Sequence, residues 1–385
     1  MELVDKIRSA YELEQKNGVK KVSDPSEVPA NFGALTHEWL TKILCKSAPG
    51  AQVTGFSFDE RDDGSSNRRR IFLEYNDAGR TANMPKTVFC KAAENLQNRI
   101  VLGMSGCSRD EANFYNHVRE RLDLLAPRAF WAGFDPNNFA YLIVMHDMGA
   151  DVTFPTFKNT LTRAQVESMV DTMSRYHSKF YQSPELGGAT LPFRPWSKFW
   201  TDQTDMLVGY EEYCDKGFEA GESVIPSKVF KRRSEVWSKT LASAARHDEL
   251  PKGLIHCDVH IKNWFVRNSD GAMGLHDWQI VNIGHWSRDF VYAMATGMTV
   301  EQRRDWFDDM LTLYLDKMEA LGVPRISKDD AMLNLRQQLF SVLAFWTITL
   351  RPTPAMPDMQ PEDTTMEMIR RITTAMDDYD SMNSF

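Results

Sequence analysis

The sequence predicts an α+β chain with a strand-rich N-terminal lobe and a larger helical C-terminal lobe. Three patterns carry this. Between residues 53 and 91, short runs of alternating apolar residues are separated by polar turns. Beyond Met148 the apolar residues recur at helical spacing, as in Val166, Met169, Val170, Met173, Tyr176, His177 and Phe180. Inside that helical half, two short apolar runs around Leu254-Ile255 and Met273-Gly274-Leu275 each lead into a polar loop. A chain of 385 residues has ample length for two domains with buried cores. The expected boundaries are an N-terminal helical extension over 1–30, an N-lobe over 31–147 and a C-lobe over 148–385 with a helical insert at 186–250.

Residues 1–30 are polar and close near Pro25 and Pro29. Leu35 to Leu40 opens a short helix with Thr36 as its N-cap. Val53 to Phe58 is a strand, followed by the turn Asp62-Asp63-Gly64-Ser65-Ser66-Asn67. Ile71, Leu73 and Tyr75 alternate as a second strand, and Thr87-Val88-Phe89-Cys90-Lys91 forms a third. A helix is expected from Ser108 to Leu125, and Phe139 to Met145 is apolar enough for a buried strand. Thr162 and Gln165 form a capping box ahead of the next helix. The insert brings Trp196, Phe199, Trp200, Tyr210 and Tyr213. Pro352, Pro354, Pro357 and Pro361 separate the last two helices.

Bulk properties narrow the function. Lys+Arg 45 against Asp+Glu 53 gives a net charge of -8, which speaks against a binder of nucleic-acid backbones. The one basic run, Arg68-Arg69-Arg70, reads as a solvated strand edge. Cys45, Cys90, Cys107, Cys214 and Cys257 are odd in number and contain no C-x-x-C pair, so they read as reduced thiols. The charged start, Met-Glu-Leu-Val-Asp-Lys, has no signal-peptide core, and no apolar run is long enough for a membrane span. These features predict a cytoplasmic protein.

The chemistry concentrates in His256-Cys257-Asp258-Val259-His260-Ile261-Lys262-Asn263, followed fourteen residues later by Asp277. Phosphoryl transfer to an alcohol needs one carboxylate to take up the hydroxyl proton. It also needs an amide and a second carboxylate to hold the metal that neutralises the phosphates. Asp258 suits the first role, although a turn aspartate capping its own loop would look the same locally. Asn263 and Asp277 are hard oxygen donors, which suit magnesium better than zinc. A competing reading takes His256, Asp258 and His260 as H-x-D-x-H, a zinc-hydrolase cluster with His276 nearby. That site would need a second histidine-rich motif, and the sequence has none. His177, on an apolar helix face, reads as a packed core histidine.

The catalytic loop and Asp277 resemble those of protein-kinase-like enzymes, most closely the aminoglycoside, choline and ecdysteroid kinase-like phosphotransferases. The resemblance covers about residues 35 to 300. It implies a bilobed kinase-like fold with a nucleotide-binding N-lobe, ATP and Mg²⁺ as cofactors, and Asp258, Asn263 and Asp277 as the catalytic set, the last two as metal ligands. It makes Lys91 the lysine that binds the α- and β-phosphates, and Glu111 its helix partner. Glu111 also fits a capping box with Ser108, but it shares a helical face with Tyr115, Val118 and Leu122. Ser65, Ser66 and Asn67 lie in a turn that resembles the phosphate-covering loop. Met145 and Met148 flank the lobe connection, where main-chain groups would bind adenine. Asp289 matches the downstream aspartate that braces the catalytic loop. Cys257 and Lys262 stand where the family usually has glycine.

The expected function is therefore an ATP- and Mg²⁺-dependent kinase acting on the hydroxyl of a small molecule. No A-P-E segment follows Asp277, which disfavours a protein kinase. The rings of the insert, with Phe340, Phe345 and Trp346, point to an apolar acceptor, sterol- or terpenoid-like, or to a cation held over rings, although any one of them more often simply packs the lobe. Carboxylates in the insert are sparse, at Asp202, Asp205, Glu211 and Glu212. The alternatives are an aminoglycoside or other antibiotic phosphotransferase and a nucleotide-binding pseudokinase. The complete set of Lys91, Asp258, Asn263 and Asp277 speaks against the pseudokinase.

Overall fold

The structure is a computed structural model that describes residues 2–354, 356 and 358–385. Pro357, one of the prolines named above, and Met1 lie outside the described residues. The chain divides into two compact units, Met1–Arg121 with Pro127–Gly149, and Leu122–Ala126 with Ala150–Phe385.

The N-terminal unit begins with α1 (Glu2–Asn17) and α2 (His37–Leu44). Thr36 caps α2 as expected, its hydroxyl accepting from the Trp39 amide at 3.1 Å. The strands are β1 (Val53–Phe58), β2 (Asp62–Asp63) and β3 (Asn67–Tyr75). After the short α3 (Asp77–Thr81) comes β4 (Thr87–Ala92), then α4 (Leu96–Ser105) and α5 (Cys107–Asn113), then β5 (Ala129–Phe134) and β6 (Tyr141–His146). They pair antiparallel in the order β1-β3-β4-β6-β5, with β2 on β3. One sheet face closes over α2 through Trp39, Leu40, Val53, Ile71, Val88 and Val144.

Two expectations fail in this unit. Arg68-Arg69-Arg70 is not a strand edge, because β3 is paired on both sides. Arg70 instead bonds Asp147, and Arg69 lies over the rings of Phe32 and Phe58 at 5.8 and 5.3 Å. The helix expected to Leu125 ends earlier. α5 runs into a π-turn over Phe114–Val118 and a 3₁₀ turn over Arg119–Arg121. Its start is not a capping box either. Gly106, with φ +74°, closes α4 and opens α5 in one step, so Ser108 falls inside the first turn and donates to Leu102 O at 3.3 Å.

The C-terminal unit is mostly helical. β7 (Val152–Thr153) precedes α6 (Arg163–Lys179), whose capping box between Thr162 and Gln165 is formed as expected. The insert supplies α7 (Trp196–Met206), α8 (Tyr210–Ala220), α9 (Ser227–Phe230) and α10 (Arg233–Arg246). Next come β8 (Gly253–Ile255), β9 (Trp264–Arg267), β10 (Met273–Leu275) and β11 (Asn282–Gly284). β8 pairs with β11, and β9 lies between β7 and β10. α11 (Ser287–Gly297), α12 (Val300–Ala320), α13 (Lys328–Leu350) and α14 (Glu362–Asp378) follow. Every residue of α11 is buried, with α6, α13 and α14 packed around it. Among the described residues no helix is long and apolar enough to cross a membrane.

The rings of the insert do not form an open aromatic wall. Trp196, Phe199, Trp200 and Tyr210 are buried, as are Phe340 and Trp346 on α13. Trp196 stacks on Phe199 at 5.1 Å and Trp200 on Phe345 at 5.7 Å. The guanidinium of Arg288 lies 4.0 Å from Trp196 and 4.8 Å from Phe345. α8 and α10 pack on α13, and α7 sets Trp196 and Trp200 against Phe345 of that helix, so the rings are interior.

Candidate active site

In the C-terminal unit, Asp289 organises the loop after β8. Its carboxylate is fully buried and accepts from the His256 amide at 2.6 Å and the Cys257 amide at 2.9 Å. The Tyr176 hydroxyl donates to it at 2.7 Å, and His177 Nε2 lies 3.3 Å away. Burial alone would raise its proton affinity, but the contacts with His177 and Tyr176 outweigh burial and hold the pKa at about 2. It therefore stays ionised and pins two consecutive loop amides. His177 is the core histidine expected, its other ring nitrogen 2.8 Å from the Tyr314 hydroxyl.

Cys257 occupies the left-handed region at φ +69°, which explains why a glycine would suit this position. A side chain there costs roughly 1 kcal/mol. The conformation is held at both ends, by Asp289 on the amide and by Arg288 Nη2 on the carbonyl at 3.3 Å. Arg288 is itself fully buried and donates to Ser341 at 2.7 Å.

The next residue is Asp258, whose side chain is 17% exposed. Tyr292 donates to its Oδ1 at 3.2 Å, and Asn263 Nδ2 donates to its Oδ2 at 3.1 Å and to its carbonyl at 2.7 Å. Burial, and then the like charge of Asp277, push the Asp258 pKa up to about 6. Two carboxylates are thus close enough for their charges to couple.

Main-chain bonds bring Asn263 and Asp277 into one neighbourhood. β9 and β10 pair Trp264 with Leu275, and the His276 amide donates to Asn263 O at 2.9 Å. His276 Nε2 lies 3.1 Å from Lys262 O, and His256 Nε2 lies 2.9 Å from His276 O. Asp277 follows at φ +64°. The Asn263 nitrogen is used on Asp258, which leaves the amide oxygen as the atom that would face a cation. An amide oxygen beside two coupled carboxylates fits a divalent cation of the magnesium type, which takes few protein ligands.

The zinc reading of His256, Asp258 and His260 does not hold. Both ring nitrogens of His256 are engaged in the loop, one with the Asp258 amide and one with His276 O. Burial also drives the Cys257 thiol well above its usual pKa. Among the described residues no group of three or more His, Cys, Asp or Glu is arranged to hold a metal.

The N-terminal unit places Lys91 in the centre of its sheet, in register with Arg68 and Ile143. Its ammonium is 2.9 Å from Glu111 Oε2 and 3.1 Å from Oε1, and Tyr141 donates to the same carboxylate. In the 64–67 turn, Ser65 is half-buried, while Ser66 and Asn67 are buried. The Asn67 side chain braces the turn, donating to Asp63 and accepting from the Glu94 amide, both at 2.7 Å. Met145 is paired on both sides, with Phe89 and Ala129, so its main chain belongs to the sheet. Met148 lies beyond His146, the last residue of β6.

Sequence reasoning missed Tyr292 and gave Trp346 another role, as a ring beside an apolar acceptor. Tyr292 stands three residues after Asp289 on one helix, a spacing that puts both on one face and could have flagged it. No local signal marks Trp346 as a partner of Tyr292.

The "Phosphotransferase enzyme family" model matches residues 107–323. A solved protein assigned as an aminoglycoside phosphotransferase from Ralstonia eutropha is 12% identical, with 89% of this chain and 97% of that one covered and a TM-score of 0.54. The ethanolamine kinase of Plasmodium vivax is 11% identical over 98% of this chain and 95% of its own, with a TM-score of 0.49. The GDP complex of aminoglycoside 2'-phosphotransferase-IIIa is 8% identical over 88% and 99%, also at 0.49. Among curated proteins no sequence match reaches significance. The Ralstonia likeness agrees with the antiparallel-sheet unit and helical unit described above, an α+β kinase-like fold. With more than half of its length matched, the chain belongs to the phosphotransferase enzyme family and is a small-molecule kinase that phosphorylates a hydroxyl group.

Proposed function

We propose that the chain transfers the γ-phosphoryl group of ATP to a small-molecule hydroxyl, with Asp258 as the base. The observation that carries this reading is the Asp258 carboxylate itself. It is hydrogen-bonded on both oxygens, has a pKa raised to about 6, and is coupled to the charge of Asp277. Asp258 orients the acceptor hydroxyl and takes its proton as the new O–P bond forms. The bond from the γ-phosphorus to the bridging oxygen breaks, and its electrons leave on the nucleoside diphosphate. Asn263 and Asp277 would hold magnesium, which when bound neutralises phosphate charge. On the nucleotide, Lys91 would contact the α- and β-phosphates, kept extended by Glu111. Ser65, Ser66 and Asn67 would cover the phosphates, and Met145 and Met148 would flank the adenine. The odd, scattered cysteines with no C-x-x-C pair and the use of ATP fit a cytoplasmic setting.

The acceptor reading changes with the structure. An apolar sterol- or terpenoid-like alcohol was expected from the number of rings in the insert and on the C-terminal helix, and those rings mostly pack the interior. A charged, polar alcohol is favoured by a pocket of about 480 Å³ between the end of α13 and the start of α14. Arg351, Asp358, Gln360 and Glu362 line it beside the apolar Leu350 and Met359, and Lys262 Nζ reaches Gln360 at 2.6 Å, joining the pocket to the catalytic loop. The test is phosphate transfer from magnesium-ATP and magnesium-GTP to kanamycin, ethanolamine, choline and a sterol. Preference for a charged acceptor supports this reading, and a clear win for the sterol overturns it while leaving the base assignment standing.

A further inference from the structure

We infer that Tyr292, with Trp346 behind it, is a positioning pair that fixes the orientation of the Asp258 carboxylate, a role that rests on Asp258 being the base. Tyr292 lies on α11 and is 1% exposed. Its hydroxyl is 3.2 Å from Asp258 Oδ1 and 2.9 Å from Trp346 Nε1, which comes from α13. An indole N–H can donate but cannot accept. In that contact Trp346 must be the donor and the tyrosine oxygen the acceptor. The hydroxyl hydrogen is then committed to Asp258, so the indole sets the direction of the bond one step away.

The consequence is rotational. A carboxylate free to turn about its Cβ–Cγ bond presents its lone pairs to an acceptor hydroxyl only part of the time. Here Oδ1 is held by Tyr292 and Oδ2 by Asn263 at 3.1 Å. The His260 ring packs edge-on to Trp346 at 5.4 Å, and its Nε2 is 3.6 Å from Oδ2, too far for a direct bond. Burial also raises the Tyr292 pKa well above the usual value, so the hydroxyl stays a neutral donor. Tyr292 and Trp346 act on the reaction only through Asp258. Orientation of this kind is worth roughly ten- to a hundredfold in rate.

The test compares Tyr292→Phe, Trp346→Phe and the double variant in the full chain. Magnesium-ATP and magnesium-GTP are the donors, with kanamycin, ethanolamine and water as acceptors, so that nucleotide hydrolysis gives a rate in every case. Tyr292→Phe should lower kcat about ten- to a hundredfold with the nucleotide KM little changed, and the Tm should fall only by what the unpaired Trp346 N–H costs. Trp346→Phe should cost less. The double variant should be no worse than Tyr292→Phe, since the indole has nothing left to direct. A kcat within about twofold of the parent for Tyr292→Phe, losses that add, or a shared fall in Tm and KM would each overturn the proposal. Asp258→Asn runs alongside. If it keeps the parental rate, the base assignment fails and takes this inference with it. If it is inactive while Tyr292→Phe is parental, only the positioning role fails.

Discussion

The Lys91 ammonium lies 2.9 Å from a Glu111 carboxylate oxygen, and both side chains are buried. A buried pair is costly to break, because removing one partner leaves the other charge uncompensated, at about 3–5 kcal/mol. Lys91→Ala and Glu111→Ala should each lower kcat/KM for nucleotide by tenfold or more, and the double variant should be little worse than either. Additive losses in steady-state kinetics would show that the two act independently, and a Glu111→Ala variant with parental kcat would show that the pair serves stability alone.

Much of this site was legible because its signals are local. The interval from Asp258 to Asn263 and Asp277 fits within one loop and one strand pair, and the capping box at Thr162 spans four residues. The failures are non-local. Whether Arg68-Arg69-Arg70 lies at an edge depends on sheet order, and β3 is interior only because β1 and β4 flank it. The rings of Trp196 and Trp200 gave no sign that their cover would be Phe345, well over a hundred residues on. Gly106 ends one helix and begins another, a double role that rules out the rival capping box at Ser108.

Cys257 offers a backbone test. Its φ of +69° suits glycine, tolerates cysteine under constraint and penalises a β-branched residue. Cys257→Gly should stay within about 1 kcal/mol of the parent, as relieved strain offsets lost burial and added chain entropy, and should keep its turnover. Cys257→Val should lower both Tm and kcat. Equal behaviour of the two variants in thermal melts and assays would mean that the left-handed conformation is not required.

Asp289 should matter to the loop without touching a reactant. Its carboxylate serves two main-chain donors, Tyr176 and His177. Asp289→Ala leaves the two buried amides without their acceptor and should cost about 3–5 kcal/mol in denaturant titrations. A loss below about 1 kcal/mol would remove Asp289 as the brace.

The raised pKa of Asp258 makes a stability prediction with a definite sign. Folding lifts its pKa from 3.8 to about 6, so the fold favours the protonated acid. That contribution is fully present below about pH 4 and is lost as pH rises through about 6. In protein free of nucleotide and divalent ions, Asp258→Asn should gain stability over the parent at pH 8 compared with pH 4. The difference should be on the order of 3 kcal/mol. Melting curves at the two pH values check it, and a pH-independent difference would mean that the carboxylate is not strained.

The central claim is that Asp258 takes the acceptor proton, and the most direct measurement is single-turnover phosphate transfer by Asp258→Asn with nucleotide affinity measured alongside. Asparagine keeps the shape and the acceptor oxygen but cannot take up the proton. The account predicts a transfer rate lower by about 10²–10⁴ with nucleotide binding within a few-fold of the parent. Transfer at near-parental rate with binding intact would contradict it.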